Sequence, residues 1–398
     1  MTAAAAPERP STPLSYSGND DDFLRMLFKG SLLLIPTFGF YRFWLITKIR
    51  QHLWAGTQIE GESLEYTGTA KEILIGFLIA LAILVPIYIV YFAISIVLGE
   101  KTPFANIPLF GILYVLARFG AYRARRYQVS RTIFRGIRFW MTGSGWGYAF
   151  RAILCDIPVL LTLGLAYPWT AAFLERYKMR HTYFGSLQGD FAGTGSALFQ
   201  RVWWLWLLGV TGAAVLGLTI WGVTHLDPKD QAGMIFLITL FAILCVSFLS
   251  AAFLAVRSRW LIEGIRFADV ALSSNLRKRN MVWLYVKAMF WFLTVALVFL
   301  AASVIFAMTK MLGLSGAQAG FGWASFVAIV ISIIGYLTFV ITLGIVHRYF
   351  LTRGLWALVT GSIAAANLDA LEQVVAAGGP SGSLGEGLAD ALDFGGGL

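Results

Sequence analysis

Ile73–Gly99 reads ILIGFLIALAILVPIYIVYFAISIVLG, without one charged side chain. A helix needs about 20 such residues to cross a hydrocarbon core, and inside lipid the backbone must satisfy its own hydrogen bonds. Val202–Leu226, Gln231–Val256, Ala288–Thr309 and Met311–Val346 are uncharged in the same way. Thr102–Ala117 is shorter, but Arg118 after it can snorkel to the interface. The expectation is six spans, about residues 73–98, 107–122, 202–224, 233–256, 283–309 and 322–346. Charged residues make up 13% of the chain, against about 25% in a soluble domain. Short alternating segments, the mark of a transmembrane barrel, are missing from the pattern. The fold class read from this is an all-α polytopic membrane protein.

The spans pair into three hairpins, 73–140, 202–267 and 283–356, each ending in a similar cassette. The copies are Arg135-Gly136-Ile137-Arg138-Phe139, Glu263-Gly264-Ile265-Arg266-Phe267 and Arg353-Gly354-Leu355-Trp356. Recurrence of this kind points to internal duplication. It predicts three equivalent short amphipathic elements along one interface, with Gly136, Gly264 and Gly354 allowing a bend or close helix packing.

The net charge is +10. It sits between the spans, which the positive-inside rule explains without a nucleic-acid partner. Arg118–Arg151 holds eight arginines and no acidic residue, and Arg257–Val282 six basic residues against two acidic ones. Both should be cytoplasmic. The segments 99–106, 225–231 and 310–321 together balance three basic against three acidic residues and should face outward. Both termini are then inside. Residues 1–20 lack the apolar core of a secretory signal.

Two further apolar stretches, Ser31–Thr47 and Ile157–Leu174, are interrupted by Pro36 and Arg42 and by Pro158 and Pro168. They match at a constant offset of 125 residues: Thr37, Gly39 and Trp44 correspond to Thr162, Gly164 and Trp169. The match extends over 23–70 and 148–195. Proline inside a helix costs about 3 kcal/mol, and a single crossing would break the charge parity. Both stretches are therefore expected to be re-entrant or interfacial broken helices. Residues 1–22 and the glycine-rich, acidic 367–398 read as disordered tails flanking a membrane domain over 23–366.

The paired Thr-(Leu/Phe)-Gly segments, the Gly-Ile-Arg-Phe cassettes and His181-Thr182-Tyr183-Phe184-Gly185 resemble the bacterial YjgN family in motif order and spacing, over about residues 20–365. The resemblance implies a bacterial inner-membrane location. It supplies no activity, and so no functional residues to transfer.

Few residues invite chemistry. Asp156 is the acidic residue of an apolar stretch, with Arg151 or Lys287 as candidate partner. Its simpler reading is a helix cap beside Pro158. Lys287 lies five residues inside the fifth span and either faces a polar cavity or snorkels. Arg131, Arg138, Arg259 and Arg266 are candidate contacts for anionic lipid head groups, each worth on the order of 1 kcal/mol at an anionic surface. The four histidines are scattered and no zinc, phosphate-loop or nucleophile-elbow spacing occurs. No catalytic, cofactor or metal site is expected, and no enzyme. Two readings follow. Repetition with proline-broken helices suits a transporter or channel-like permeation protein. Arginine and aromatic cassettes suit a scaffold or lipid-handling protein. A polar route beside the Thr-(Leu/Phe)-Gly segments would favour the first, a basic lateral groove the second.

Overall fold

The structure, a computed structural model, describes residues 11–98, 107–225, 227–311 and 323–392. Two strands, β1 (Ser11–Pro13) and β2 (Ser15–Tyr16), precede the helix pair α1 (Asp20–Leu33) and α2 (Arg42–Ala55). Then come β3 (Thr57–Ile59), β4 (Glu62–Ser63) and β5 (Glu65–Tyr66), followed by α3 (Ala70–Leu98) and α4 (Ile107–Ser130). The hairpin β6 (Thr132–Phe134) and β7 (Ile137–Met141) leads to α5 (Gly145–Leu161) and α6 (Tyr167–Arg180). The next, β8 (Thr182–Phe184) and β9 (Leu187–Phe191), leads to α7 (Gly195–Val223) and α8 (Pro228–Gly264). The last, β10 (Ile265–Phe267) and β11 (Val270–Ser274), leads to α9 (Lys278–Met311) and α10 (Trp323–Val346). A π-helical turn, His347–Arg353, continues into α11 (Gly354–Thr360), then β12 (Ile363–Ala366) and, after a 3₁₀ turn at Leu368–Leu371, α12 (Leu384–Ala391).

The strands correct the all-α expectation. They form a nine-stranded sheet in the order β1-β12-β11-β10-β9-β8-β7-β6-β5, antiparallel throughout, and a three-stranded sheet β2-β3-β4. Tight turns join β6 to β7, β8 to β9 and β10 to β11 at one end of the sheet. At the other end a helix pair joins β5 to β6, β7 to β8, β9 to β10 and β11 to β12. β2 and β3 likewise bracket α1 and α2. Neighbouring strands lie about 4.8 Å apart, so every helix pair starts and ends at one level.

Local chemistry builds this alternation. Thr57, Thr132 and Thr182 each follow a helix and return their Oγ1 to the carbonyls of Leu53, Gln128 and Lys178, at 2.9, 3.0 and 2.9 Å. That closes the last turn and releases the chain as a strand. Thr69, Ser144 and Thr194 then restart α3, α5 and α7 by accepting the N–H three residues on, the usual work of an N-cap.

Among the described residues, five helical segments are long and apolar enough to cross a membrane: Ala70–Ile96, Gly195–Val223, Gln231–Gly264, Lys278–Met308 and Phe326–Thr360. The sixth expected span lies in α4, whose second half carries Arg118, Arg123, Arg125 and Arg126 and fails that measure. The expected outward segments 99–106 and 310–321 lie outside the described residues apart from Lys310 and its neighbour at the end of α9.

The cassettes are not equivalent, against expectation. Arg135 and Gly136, at φ +49° and +74°, form the two-residue turn between β6 and β7, a backbone geometry that the twist of a β-hairpin selects. Gly264 ends α8 where the Phe191 ring leaves no room for a Cβ, and Gly354 opens α11 against Leu284. Phe139 and Phe267 point at each other across the sheet, ring centroids 6.2 Å apart, rather than into an apolar layer.

The tails also depart from their compositional reading. β1, β2 and the start of α1 lie within residues 11–22, and α12 within 367–398. Residues 1–10 and 393–398 lie outside the described residues.

Candidate functional site

The two segments expected to be broken helices are α1–α2 and α5–α6, and their turns match bond for bond. Thr37 Oγ1 donates to the Leu33 carbonyl (2.6 Å) and accepts from Tyr41 N–H (3.1 Å). Thr162 Oγ1 donates to the Pro158 carbonyl (2.7 Å) and accepts from Ala166 N–H (3.0 Å). Gly39 and Gly164, at φ +84° and +91°, turn back their N–H to Leu34 and Val159 at 2.8 and 2.7 Å. Trp44 stacks on Tyr41, whereas Trp169 tilts against Phe199. The tips are apolar and bare: Phe38 is 93% exposed and Leu163 74%.

Beside the second tip is an apolar cavity of about 460 Å³ between α5–α6, α7 and α8, lined by Gly164, Tyr167, Val202, Trp206, Leu249 and Phe253 among others. Trp206 Nε1 donates to the Leu163 carbonyl at 2.9 Å. A polar route is what a permeation protein requires here, and the wall is apolar.

A second cavity, about 580 Å³, opens between α7, α8 and the start of α9. Gln200, Arg201, Trp204, Arg259, Arg277 and Lys278 supply its polar and aromatic lining. Arg201 comes from the second turn of α7, Arg259 from the last two turns of α8, and Lys278 is the first residue of α9. All three stand at the sheet end of their helices. Glu263 pairs with Arg201 at 2.8 Å and Arg259 at 2.7 Å. Lys278 Nζ sits 4.9 Å from the Trp204 ring centre. Four cations thus line the pocket, two of them paired with Glu263, with an indole face beside Lys278. Arg259 was legible in the sequence. The other cations were not, because they lie far apart along the chain; the Arg277-Lys278-Arg279 run at the head of a span was the available signal.

The remaining candidates have protein partners. Asp156 pairs with Arg118 at 2.6 Å and accepts from the Tyr114 hydroxyl, across α4 and α5. That replaces Arg151 and Lys287. Arg151 bonds the Gly147 carbonyl at 2.9 Å, and Lys287 is exposed with its ammonium 5.9 Å from the Trp283 ring. Arg131 pairs with Glu72 at 2.7 Å. Arg138 donates to the Ser130 carbonyl (2.6 Å) and Arg266 to those of Glu263 and Ile265 (both 2.8 Å). These three hold helix ends to the sheet.

One buried cluster escaped the sequence reading. Glu175, 7% exposed, meets Lys178 at 2.5 Å and Arg125 at 3.6 Å. Burial pushes the Lys178 ammonium down to about 8, opposed by Glu175. Burial alone would raise the Glu175 carboxyl, but Lys178, Arg125 and Arg257 together hold it below its ordinary value.

Apolar helical hairpins hung from one end of an antiparallel sheet, with a basic pocket at the helix ends, define a polytopic helical membrane protein. The chain belongs to the family described as bacterial protein of unknown function (DUF898), matched over residues 11–391. It is 23% identical over 272 residues to inner membrane protein YjgN of Escherichia coli O157:H7, covering 67% of this chain and 62% of that protein. Against inner membrane protein YjgN of Escherichia coli strain K12 it is 25% identical over 156 residues, 39% of this chain and 37% of that one. The chain thus spans less than two thirds of the length of these relatives. No solved structure matches it.

Proposed function

We propose that this is an inner-membrane protein that binds an anionic phospholipid, with the head group in the Arg201, Arg259, Arg277 and Lys278 pocket. It acts as a lipid-handling or scaffold protein, not as an enzyme and not on nucleic acid. The observation carrying this reading is the pocket itself. Four cations line it, two of them paired with Glu263, which leaves excess positive charge at the helix ends, where head groups lie, and each contributes on the order of 1 kcal/mol at an anionic surface. Trp204 suits the interfacial depth. The relatives named as inner membrane proteins support the location. The arginine-rich sheet end lies on the cytoplasmic side by the positive-inside rule, with both termini there. α1–α2 and α5–α6 are re-entrant hairpins that arose by duplication: their exposed tips, Phe38 and Leu163, have an apolar solvent only in lipid. The apolar wall beside Gly164 weighs against a permeation route there.

The test is native mass spectrometry of lipid retention with phosphatidylglycerol and phosphatidylcholine. Replacing Arg201, Arg259, Arg277 and Lys278 together by Gln should abolish the preference for phosphatidylglycerol. An unchanged preference in the folded variant refutes the assignment.

A further inference from the structure

α12 stands between the two helices of the α3–α4 hairpin. Where α7 and α8, α8 and α9, and α9 and α10 pack on each other, α3 and α4 pack chiefly on α12. Its Leu388, 1% exposed, joins Ala80 and Leu84 of α3 in one buried cluster, with Leu113, Leu116 and Phe119 of α4 around it. The fit is backbone to backbone: a Cβ at Gly387 would collide with the Gly76–Phe77 peptide, and one at Gly76 with the Ser383 carbonyl. On the other wall, a Cβ at Gly120 would lie 3.3 Å from Leu388 and 3.5 Å from the Ala389 nitrogen. A slot walled by Gly76, Ala80 and Gly120 therefore admits α12 closely at Gly387 and Ala389, with Leu388 filling the space beside them, the pattern that lets membrane helices approach closely.

What leads to α12 is a strap across the sheet. Val375 exchanges bonds with Ser186, accepting its N–H at 2.9 Å and donating to its Oγ at 3.3 Å. Gly378 lies on the Trp140 indole, and Ser381 N–H donates to Ser130 Oγ at 3.1 Å. Between these points runs Ala376-Ala377-Gly378-Gly379-Pro380-Ser381-Gly382-Ser383, whose glycines lose much backbone freedom on ordering. An eight-residue helix is not stable by itself in water. The helicity of α12 is thus supplied by the slot, and its release costs a local free energy below that of global unfolding.

We infer that the α3–α4 slot is a docking site for a small-residue helix and that α12 is its resident, displaceable occupant. The proposal is independent of the lipid pocket. It is tested in membranes, in a background with Cys155 and Cys245 replaced by Ala. Gly120→Cys with Ala389→Cys should form a disulfide under mild oxidation. Adding Gly387→Leu should reduce it at least tenfold, whereas Gly382→Leu, with open space around that residue, should leave it unchanged. In the second arm, Gly120→Cys in a chain ending at Val375 is mixed with a peptide of residues 380–392 carrying cysteine at 389. The peptide should cross-link, and its Gly387→Leu form should not. Absence of the first cross-link, its indifference to Gly387→Leu, or failure of the peptide to cross-link would each overturn the proposal. So would a shortened chain unable to fold, since α12 would then be a fixed part of the fold.

Discussion

Glu175→Gln is the perturbation whose cost the structure sets most directly. The carboxylate is buried and stands between Lys178 at 2.5 Å and Arg125 at 3.6 Å, with Arg257 adding a further positive charge. At an effective dielectric of about 20, a pair at such distances attracts by about 4 kcal/mol before desolvation. Removing the carboxylate leaves the buried Lys178 ammonium without its counter-charge and with Arg125 and Arg257 nearby, and breaking a buried pair this way costs about 3–5 kcal/mol. Lys178→Met removes one cation, while Glu175 keeps Arg125 and Arg257; its expected cost is about 1–2 kcal/mol. The asymmetry is the test. Urea unfolding of purified protein in mild detergent micelles should rank wild type above Lys178→Met above Glu175→Gln. The pair also sets a pH dependence. The folded Lys178 value, about 8, lies below its ordinary 10.5, so between those values the unfolded chain holds a proton that the folded chain has released. Stability from this group rises with pH across that window. Glu175, held below its ordinary 4.5, contributes stability above that pH, lost as pH falls through its folded value. Lys178→Met should flatten the alkaline rise. A Glu175→Gln cost under about 1 kcal/mol, or one smaller than that of Lys178→Met, would refute the reading of Glu175 as keystone of the cluster.

Asp156→Asn weakens the pair with Arg118, whose partners are about one-third exposed; it should cost about 1 kcal/mol in the same unfolding assay. Lys287→Gln should stay within about 0.5 kcal/mol of wild type, and a larger Lys287 effect would restore the pairing that the sequence suggested. Thr162→Val should cost about 1–2 kcal/mol through the two bonds of its hydroxyl at the α5–α6 turn, and Thr37→Val the same at the α1–α2 turn, measured by thermal unfolding; a neutral result at both would show that the turns do not depend on threonine. For orientation, a cysteine replacing Asp269 in the exposed β10–β11 turn should resist an impermeant maleimide in intact cells, while one replacing Lys229 should react. The reverse pattern would invert the topology.

The segments able to cross lipid were legible in the sequence because the requirement is local. A run of uncharged residues about 30 Å long is a helix in a bilayer, whatever it later touches. The two broken helices were legible for the same reason. Thr37 and Thr162 act through bonds four residues away, so the shared spelling gives a shared turn. By contrast, the strands run from two to five residues, too short to display a period of two, and alternate pairings of the large sheet bridge an intervening helix pair. Pairing over that distance is decided by the whole chain. The cassettes show the same limit: Arg135-Gly136 becomes a β-turn because β6 and β7 pair, whereas the similar letters at Glu263-Gly264 end a helix. Asp156 was visible as a charge in an apolar setting, but its partner Arg118 was fixed by how α4 packs on α5. The basic pocket and the seat of α12 gather residues from separate helices, and only tertiary packing decides which small face meets which.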